Sequence, residues 1–371
     1  MQQPIGVSVN VNFLVCLVLF LVTRPKPREL LVASAVGACL GFYLGLHGNI
    51  LHRALEALSY CGAGAIPAVW LMPFLGGRSD LKLLGKLLFP PGFGILTTVF
   101  LNLGSHGVTY DNFLYAFDGS LGFQPSFWAG MVTSPPWINR VTGTLYDALP
   151  LFVVVAYLIE ERRSAAAGRS LFFWILLVGL CGATCFFVFP AVGAYWIYSK
   201  SFPFHPPALS AVPVVPTLIA AAVPRNCMPS LHTAWALVAL WAAGKCRFVW
   251  RMILRGLLMI MLLQTLVYHY FVDMVVAVPF TLALYALTRS TLPWSANQRR
   301  WPFGFGALSV VIWLVALRWG TALFQISPIV PWSAIVFTIA SSWWLWRWLD
   351  RAVDAAPSAV EPALISSQDA G

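Results

Sequence analysis

Eleven runs of mostly apolar residues pace this chain, at roughly 11–23, 30–48, 55–75, 88–104, 141–159, 170–189, 230–244, 252–268, 273–288, 303–320 and 330–348. A helix needs about 20 apolar residues to cross the hydrocarbon core of a bilayer, and most of the runs approach that length. Lipid offers no partner to an exposed backbone N–H or C=O, so crossing segments are helices or strands of closed barrels. The runs are too long and too continuous for barrel strands, which alternate over about ten residues. The expected fold is therefore all-α: a polytopic transmembrane helical bundle of about eleven spans. Composition agrees, with 59% hydrophobic and 10% charged residues against about 25% charged in a soluble domain.

A net charge of +10 raises the question of nucleic acid, and the placement of the charge answers it. Lysine and arginine collect in short loops between apolar runs, which is a topology signal and not a binding surface. One set of alternate loops holds Arg24, Lys26, Arg28, Arg78, Lys82, Lys86, Arg162, Arg163, Arg169, Lys245, Arg247, Arg251, Arg255, Arg289, Arg299, Arg300, Arg347 and Arg351. The other holds only Arg53, Arg140, Lys200, Arg225 and Arg318. The excess side is expected in the cytoplasm, which puts the N-terminus outside and the tail inside, in a plasma (inner) membrane. No basic stretch precedes the first apolar run, so a cleaved signal peptide is not expected. The seven cysteines show no paired metal spacing and read as small core residues, as at Cys16, Cys39, Cys181 and Cys185.

Four regions follow: N-terminal membrane helices (1–104), a catalytic membrane core (105–290), C-terminal membrane helices (291–349) and a disordered tail (350–371) containing Pro357 and Pro362. Two long loops belong to the outer side. Residues 105–140 interleave aromatic and polar groups, among them Tyr110, Asp111, Phe117, Asp118 and Trp128; this suits a helix lying in the membrane interface, as a lid or a lipid-entry ramp. Residues 190–229 carry eight prolines and are expected to be extended.

Rare polar chemistry stands at the edges of two apolar runs: Arg225-Asn226-Cys227-Met228-Pro229-Ser230-Leu231-His232 and Tyr268-His269-Tyr270-Phe271-Val272-Asp273. Ionisable groups within membrane segments cost roughly 2.5–3.5 kcal/mol at a helix centre, which makes them functional candidates. His269 and Asp273 are four apart and would share a helix face. A carboxylate there holds one imidazole nitrogen and leaves the other for chemistry. Pro229 suits a first helical turn, where Ser230 and free N–H groups would face a phosphate. Arg225 and Lys200 are the available cations. The same histidines and carboxylate also fit a metal site or a structural pair.

Together the two segments resemble the type-2 phosphatidic acid phosphatase (lipid phosphate phosphatase) superfamily. The matching stretches are Asn226–Ala234 and His269–Ala277, with softer matches at Asp118–Phe123 and Phe189–Tyr195. Within that superfamily the chain more nearly resembles the branch containing inositol phosphorylceramide synthases and their bacterial relatives. The resemblance implies a six-helix catalytic core over about 105–290. It also implies a nucleophile at His269, an orienting carboxylate at Asp273 and a general acid at His232, with no metal or other cofactor. Two of the superfamily's usual phosphate ligands are absent. Leu262 and Leu263 stand where Ser-Arg is common, and no Lys with Arg-Pro seven positions on precedes the loop. The expected activity is hydrolysis of a lipid-linked phosphate, or transfer of its head group to a hydroxyl acceptor, at the outer face. The expected partners are that lipid, membrane lipids and the acceptor, and no nucleic acid; oligomeric state is left open. A transporter would show inverted repeats or matched broken helices, and neither is evident; a non-catalytic scaffold on the same fold is the other rival.

Overall fold

A computed structural model describes residues 5–46, 50–75, 80–103, 107–163, 165–219, 223–242 and 248–356. The chain divides into two compact units. The first comprises Met1–Leu103 with Gly143–Ala156. It contains α1 (Ile5–Val22), α2 (Pro27–Leu44), α3 (Ile50–Leu71) and α4 (Leu81–Leu103). Pro27 opens α2, and Glu29 accepts the main-chain N–H of Lys26 at 2.8 Å. Small residues let these helices approach closely: a Cβ on Gly62 would lie 1.9 Å from the Phe13 carbonyl oxygen, and one on Gly64 2.2 Å from that of Ala33. Close backbone approach through glycine is how helices associate where no hydrophobic difference from lipid drives them together.

The second unit comprises Gly104–Thr142 and Tyr157–Gly371. Its early part holds β1 (Gly107–Thr109), α5 (Asp111–Gly119), α6 (Pro125–Thr133) and the start of α7 (Pro136–Asp147). The end of α8 (Leu149–Arg163) from Tyr157, α9 (Ala165–Val188), the single turn α10 (Ala194–Ile197) and β2 (Thr217–Ile219) follow. α11 (Leu231–Ala242), α12 (Phe248–Tyr268), α13 (Phe271–Thr288), α14 (Asn297–Trp319), the turn α15 (Thr321–Phe324) and α16 (Ile329–Ala355) complete it. The core helix is α13. It is apolar on all sides and packs against α9, α11, α14 and α16, as a helix hydrophobic all round must. Two of its last carbonyls are taken by Arg299, which donates to Ala286 O and Leu287 O at 3.1 and 2.9 Å and also to Leu292 O, in the loop beyond, at 2.8 Å. A cation is also the favourable charge at a helix C-terminus.

Among the described residues, seven helices are long and apolar enough to cross a membrane, or eight if the bent pair α7–α8 counts as one span. The chain is a helical membrane protein. The expected runs at 11–23, 88–104 and 230–244 fall on helices outside that count; those at Val11–Val22 and Leu231–Ala242 are shorter apolar helices.

Two local expectations are corrected, and one detail is added to the helical fold: β1 and β2 pair antiparallel, with Val108 opposite Leu218. At three residues each they are too short to leave an alternating pattern. Residues 105–140 do not form one interfacial helix. They break at Gly122, whose φ is +93°, and at the helix-opening prolines 125 and 136, and α5 is buried from Asp111 through Asp118. The tail does not begin at Asp350, because α16 runs on to Ala355, and Asp350 accepts the Tyr285 hydroxyl at 2.6 Å. Residues 357–371 lie outside the described residues.

Candidate active site

The joint between α12 and α13 carries the second motif. His269 and Tyr270 are the two residues between the helices. His269 still donates its N–H to Thr265 O at 2.9 Å, as a last helical residue would. Tyr270 then turns to an extended conformation, φ −82° and ψ 155°, and becomes the N-cap of α13. Asp273 sits at the third helical position and accepts the Tyr270 N–H at 3.0 Å. The expectation of one helix face shared by His269 and Asp273 is therefore corrected. They meet across a helix joint, where the carboxylate both caps α13 and faces the imidazole. His269 Nδ1 lies 3.6 Å from Asp273 Oδ2, too long for a hydrogen bond and within reach of an ionic contact. His269 is 3% exposed and Asp273 fully buried. Nδ1 of His269 and Oδ1 of Asp273 have no hydrogen-bond partner.

The first motif arrives from α11. His232 is the second residue of that helix, and its ring centroid lies 6.2 Å from that of His269, with the planes at 57°. A main-chain bond locks the two motifs together: the Ser230 N–H donates to the Asp273 carbonyl at 3.1 Å. Pro229 is not in the first turn of α11 but two residues before it. Ser230 is fully buried, and its Oγ accepts from Thr233 N and Thr233 Oγ1 at 3.3 and 3.1 Å. That is the work of a helix cap.

The sequence reading did not assign a role to two acids that hold this arrangement. Asp118, fully buried on α5, accepts the N–H groups of Phe271 and Val272 at 2.7 and 3.2 Å. With Asp273 on Tyr270, carboxylates thus satisfy three successive donors at the start of α13, where the helix dipole also favours negative charge. Burial pushes the Asp118 carboxyl well above the ordinary carboxylate range, and the two N–H donors pull it back. Asp111, also fully buried, accepts Val192 N–H and Gly193 N–H, the latter at 2.7 Å. Burial raises its pKa too, against the same kind of donors. Gly193 needs its φ of +103°, and a Cβ there would lie 1.9 Å from Tyr268 O, so the loop Asp111 anchors presses on the residue before His269. Two aspartates seven apart in an aromatic stretch, hence on one face of a helix, were the available signal.

The cations are placed differently from expectation. Arg225 is 2% exposed, and its guanidinium bonds Gly107 O and Ile219 O through Nη2 at 2.9 and 3.1 Å and Val223 O through Nη1 at 3.4 Å. It clamps the β1–β2 ribbon in place of reaching into an open phosphate site, because carbonyls of the ribbon meet it first. Lys200 is exposed on the segment after α10. As for metals, Cys227 Sγ, a His269 nitrogen and an Asp273 oxygen lie within 4.8 Å of one another, close enough to share an ion. Burial, with Asp273 and Asp111 nearby, pushes the Cys227 thiol well up, which favours the neutral thiol over the thiolate a metal takes.

Residues 112–287 match the family model described as PAP2 superfamily. The matched stretch, just under half of the chain, runs from the second residue of α5 almost to the end of α13, and it contains Asp118, Gly193, Arg225, Ser230, His232, His269 and Asp273. No curated protein and no solved structure matches the chain. PAP2 members are generally phosphatases or phosphotransferases, and the paired histidines lie in the part that matches.

Proposed function

We propose that this protein transfers a phosphoryl group from a lipid-linked phosphate by way of a phospho-histidine. The observation that carries the reading is the 6.2 Å approach of the His232 and His269 rings, with Asp273 beside Nδ1 of His269. Nε2 of His269 attacks phosphorus, and the bond to the leaving oxygen breaks. His232 gives its proton to that oxygen. Asp273 holds the imidazole and stabilises the cation that forms on it. A water or a second hydroxyl then attacks phosphorus, His232 takes back a proton, and His269 is released. Water makes the protein a lipid phosphatase. A lipid or polyol hydroxyl makes it a transferase like the inositol phosphorylceramide synthases.

Lys200 is the cation assigned to the phosphate, and Arg225 shapes the loop behind it. The reaction stands at the outer face of the plasma membrane. Nucleophile and acid are both side chains, so a chelator should leave turnover intact. The test is a panel of lipid phosphates and phospholipid donors in detergent, with and without hydroxyl acceptors, following released phosphate and transferred head group. At least one donor should turn over, and His269→Ala should not process it. Equal turnover by wild type and His269→Ala contradicts the reading.

A further inference from the structure

Cys227 takes no part in the reaction proposed above, yet it is held against the residues that do. Its N–H donates to Ala191 O at 3.1 Å, and its Sγ lies 3.6 Å from Tyr268 O. Sγ, a His269 nitrogen and an Asp273 oxygen all lie within 4.8 Å of one another, and the three residues are buried. Two of the neighbouring atoms, His269 Nδ1 and Asp273 Oδ1, have no hydrogen-bond partner. Buried polar atoms nearly always find one, so two orphans beside a thiol describe a ligand set. The 3.6 Å from His269 Nδ1 to Asp273 Oδ2 is too long for a hydrogen bond. It is the separation of two donors on one tetrahedral ion, about 3.3–3.8 Å for bond lengths of about 2.0–2.3 Å.

We infer that Cys227, His269 and Asp273 form a site for a thiophilic divalent cation of the zinc type, and that the bound ion stops turnover. The second half rests on the phospho-histidine reading; the first does not. One sulfur, one nitrogen and one oxygen suit a borderline-soft cation, whereas magnesium and calcium take oxygen ligands. Charge also balances. A dication with one thiolate and one carboxylate is neutral, so the buried set carries no net charge, where a lone buried thiolate would be costly. On binding, the thiol proton leaves to solvent and a sulfur–metal bond forms. The fourth position of the ion is left to water. Inhibition follows from the tautomer. Attack on phosphorus needs the ring proton on Nδ1, facing Asp273, and a lone pair on Nε2. An ion on Nδ1 leaves the one proton of the neutral ring on Nε2, which then has no lone pair to give.

The test uses the full-length protein in detergent, cleared of metal with a chelator and titrated with cobalt(II) as a spectroscopic stand-in for zinc. Wild type should develop the visible bands of a tetrahedral ion together with a thiolate-to-metal charge-transfer band, and zinc should displace both. Cys227→Ser keeps the size of the side chain. It should lose the charge-transfer band and bind at least about 100-fold more weakly. His269→Ala should lose the tetrahedral bands, a readout that needs no activity. Absence of these bands in wild type, or bands unchanged in Cys227→Ser, overturns the site. For turnover, zinc should inhibit wild type and a chelator should restore it, while Cys227→Ser should stay active and need at least about 100-fold more zinc. Equal inhibition of wild type and Cys227→Ser would place the ion on the phosphate donor and overturn the inhibitory role. Cobalt bands as expected with no lipid phosphate turned over would sink the phospho-histidine and leave the metal site standing. Turnover that depends on His269 but gives no cobalt bands would do the reverse.

Discussion

Asp118 Oδ2 lies 2.7 Å from the main-chain nitrogen of Phe271, across 153 positions of sequence. That bond joins a buried helix of the long loop to the first turn of the core helix, two residues after His269. Its partner bond, from Val272 N–H to Oδ1 at 3.2 Å, makes the carboxylate a two-point anchor.

Asp118→Asn keeps the shape and loses one acceptor, so one of the two N–H groups faces an amide N–H. Hydrogen bonds to a charged group contribute about 1.5–3 kcal/mol. The variant is expected to fold and to lose about 10- to 100-fold in kcat as His269 loses its fixed position. Asp118→Glu, which keeps two acceptors, should recover more activity than Asp118→Asn. Equal rates in Asp118→Asn and wild type would remove this residue from the positioning of the site.

Arg225 gives the opposite expectation from a phosphate ligand. Its donors hold Gly107 O, Ile219 O and Val223 O, so Arg225→Lys loses the fork that spans two strands. The loss should appear first as stability, about 2 kcal/mol or more for a buried charged donor set, read as a lower melting midpoint in detergent. KM for the phosphate donor should change little in the fraction that remains folded. A raised KM with an unchanged melting midpoint would return Arg225 to the phosphate.

Orientation is tested by single cysteines on a background lacking the native ones. A cysteine at Ser210, which is exposed in the segment before β2, should react in intact cells with an impermeant thiol reagent. One at Ser164 should be protected until the membrane is opened. The reverse pattern would put the site on the cytoplasmic face.

Much of this architecture is legible in the chain, because the apolar runs and the short basic loops are local features. The pairing of His232 with His269 was legible for a different reason: both stand at the edges of runs whose ends meet if the helices between them are antiparallel. What escaped depends on partners remote in sequence. The spacing of four between His269 and Asp273 suggested one helix, yet Tyr270 leaves the helical region and caps a new one. Asp118 and Asp111 read as polar marks on an interfacial helix, because the N–H groups they hold belong to residues 271–272 and 192–193. Arg225 looked like a free cation, since nothing local shows that the carbonyls of Gly107 and Ile219 reach it.

The central claim is that His269 becomes phosphorylated. The most direct measurement is acid-labile, base-stable labelling of the protein from a phosphorus-labelled donor, followed by peptide mapping. Wild type should carry label on His269, and His269→Ala none. His232→Ala should still trap label from an aryl phosphate, whose leaving group departs without a proton. Asp273→Asn should label more slowly, by up to about 10⁴-fold, the scale found where a carboxylate orients a catalytic imidazole. Label that persists in His269→Ala, or that maps to Ser230, would contradict the account.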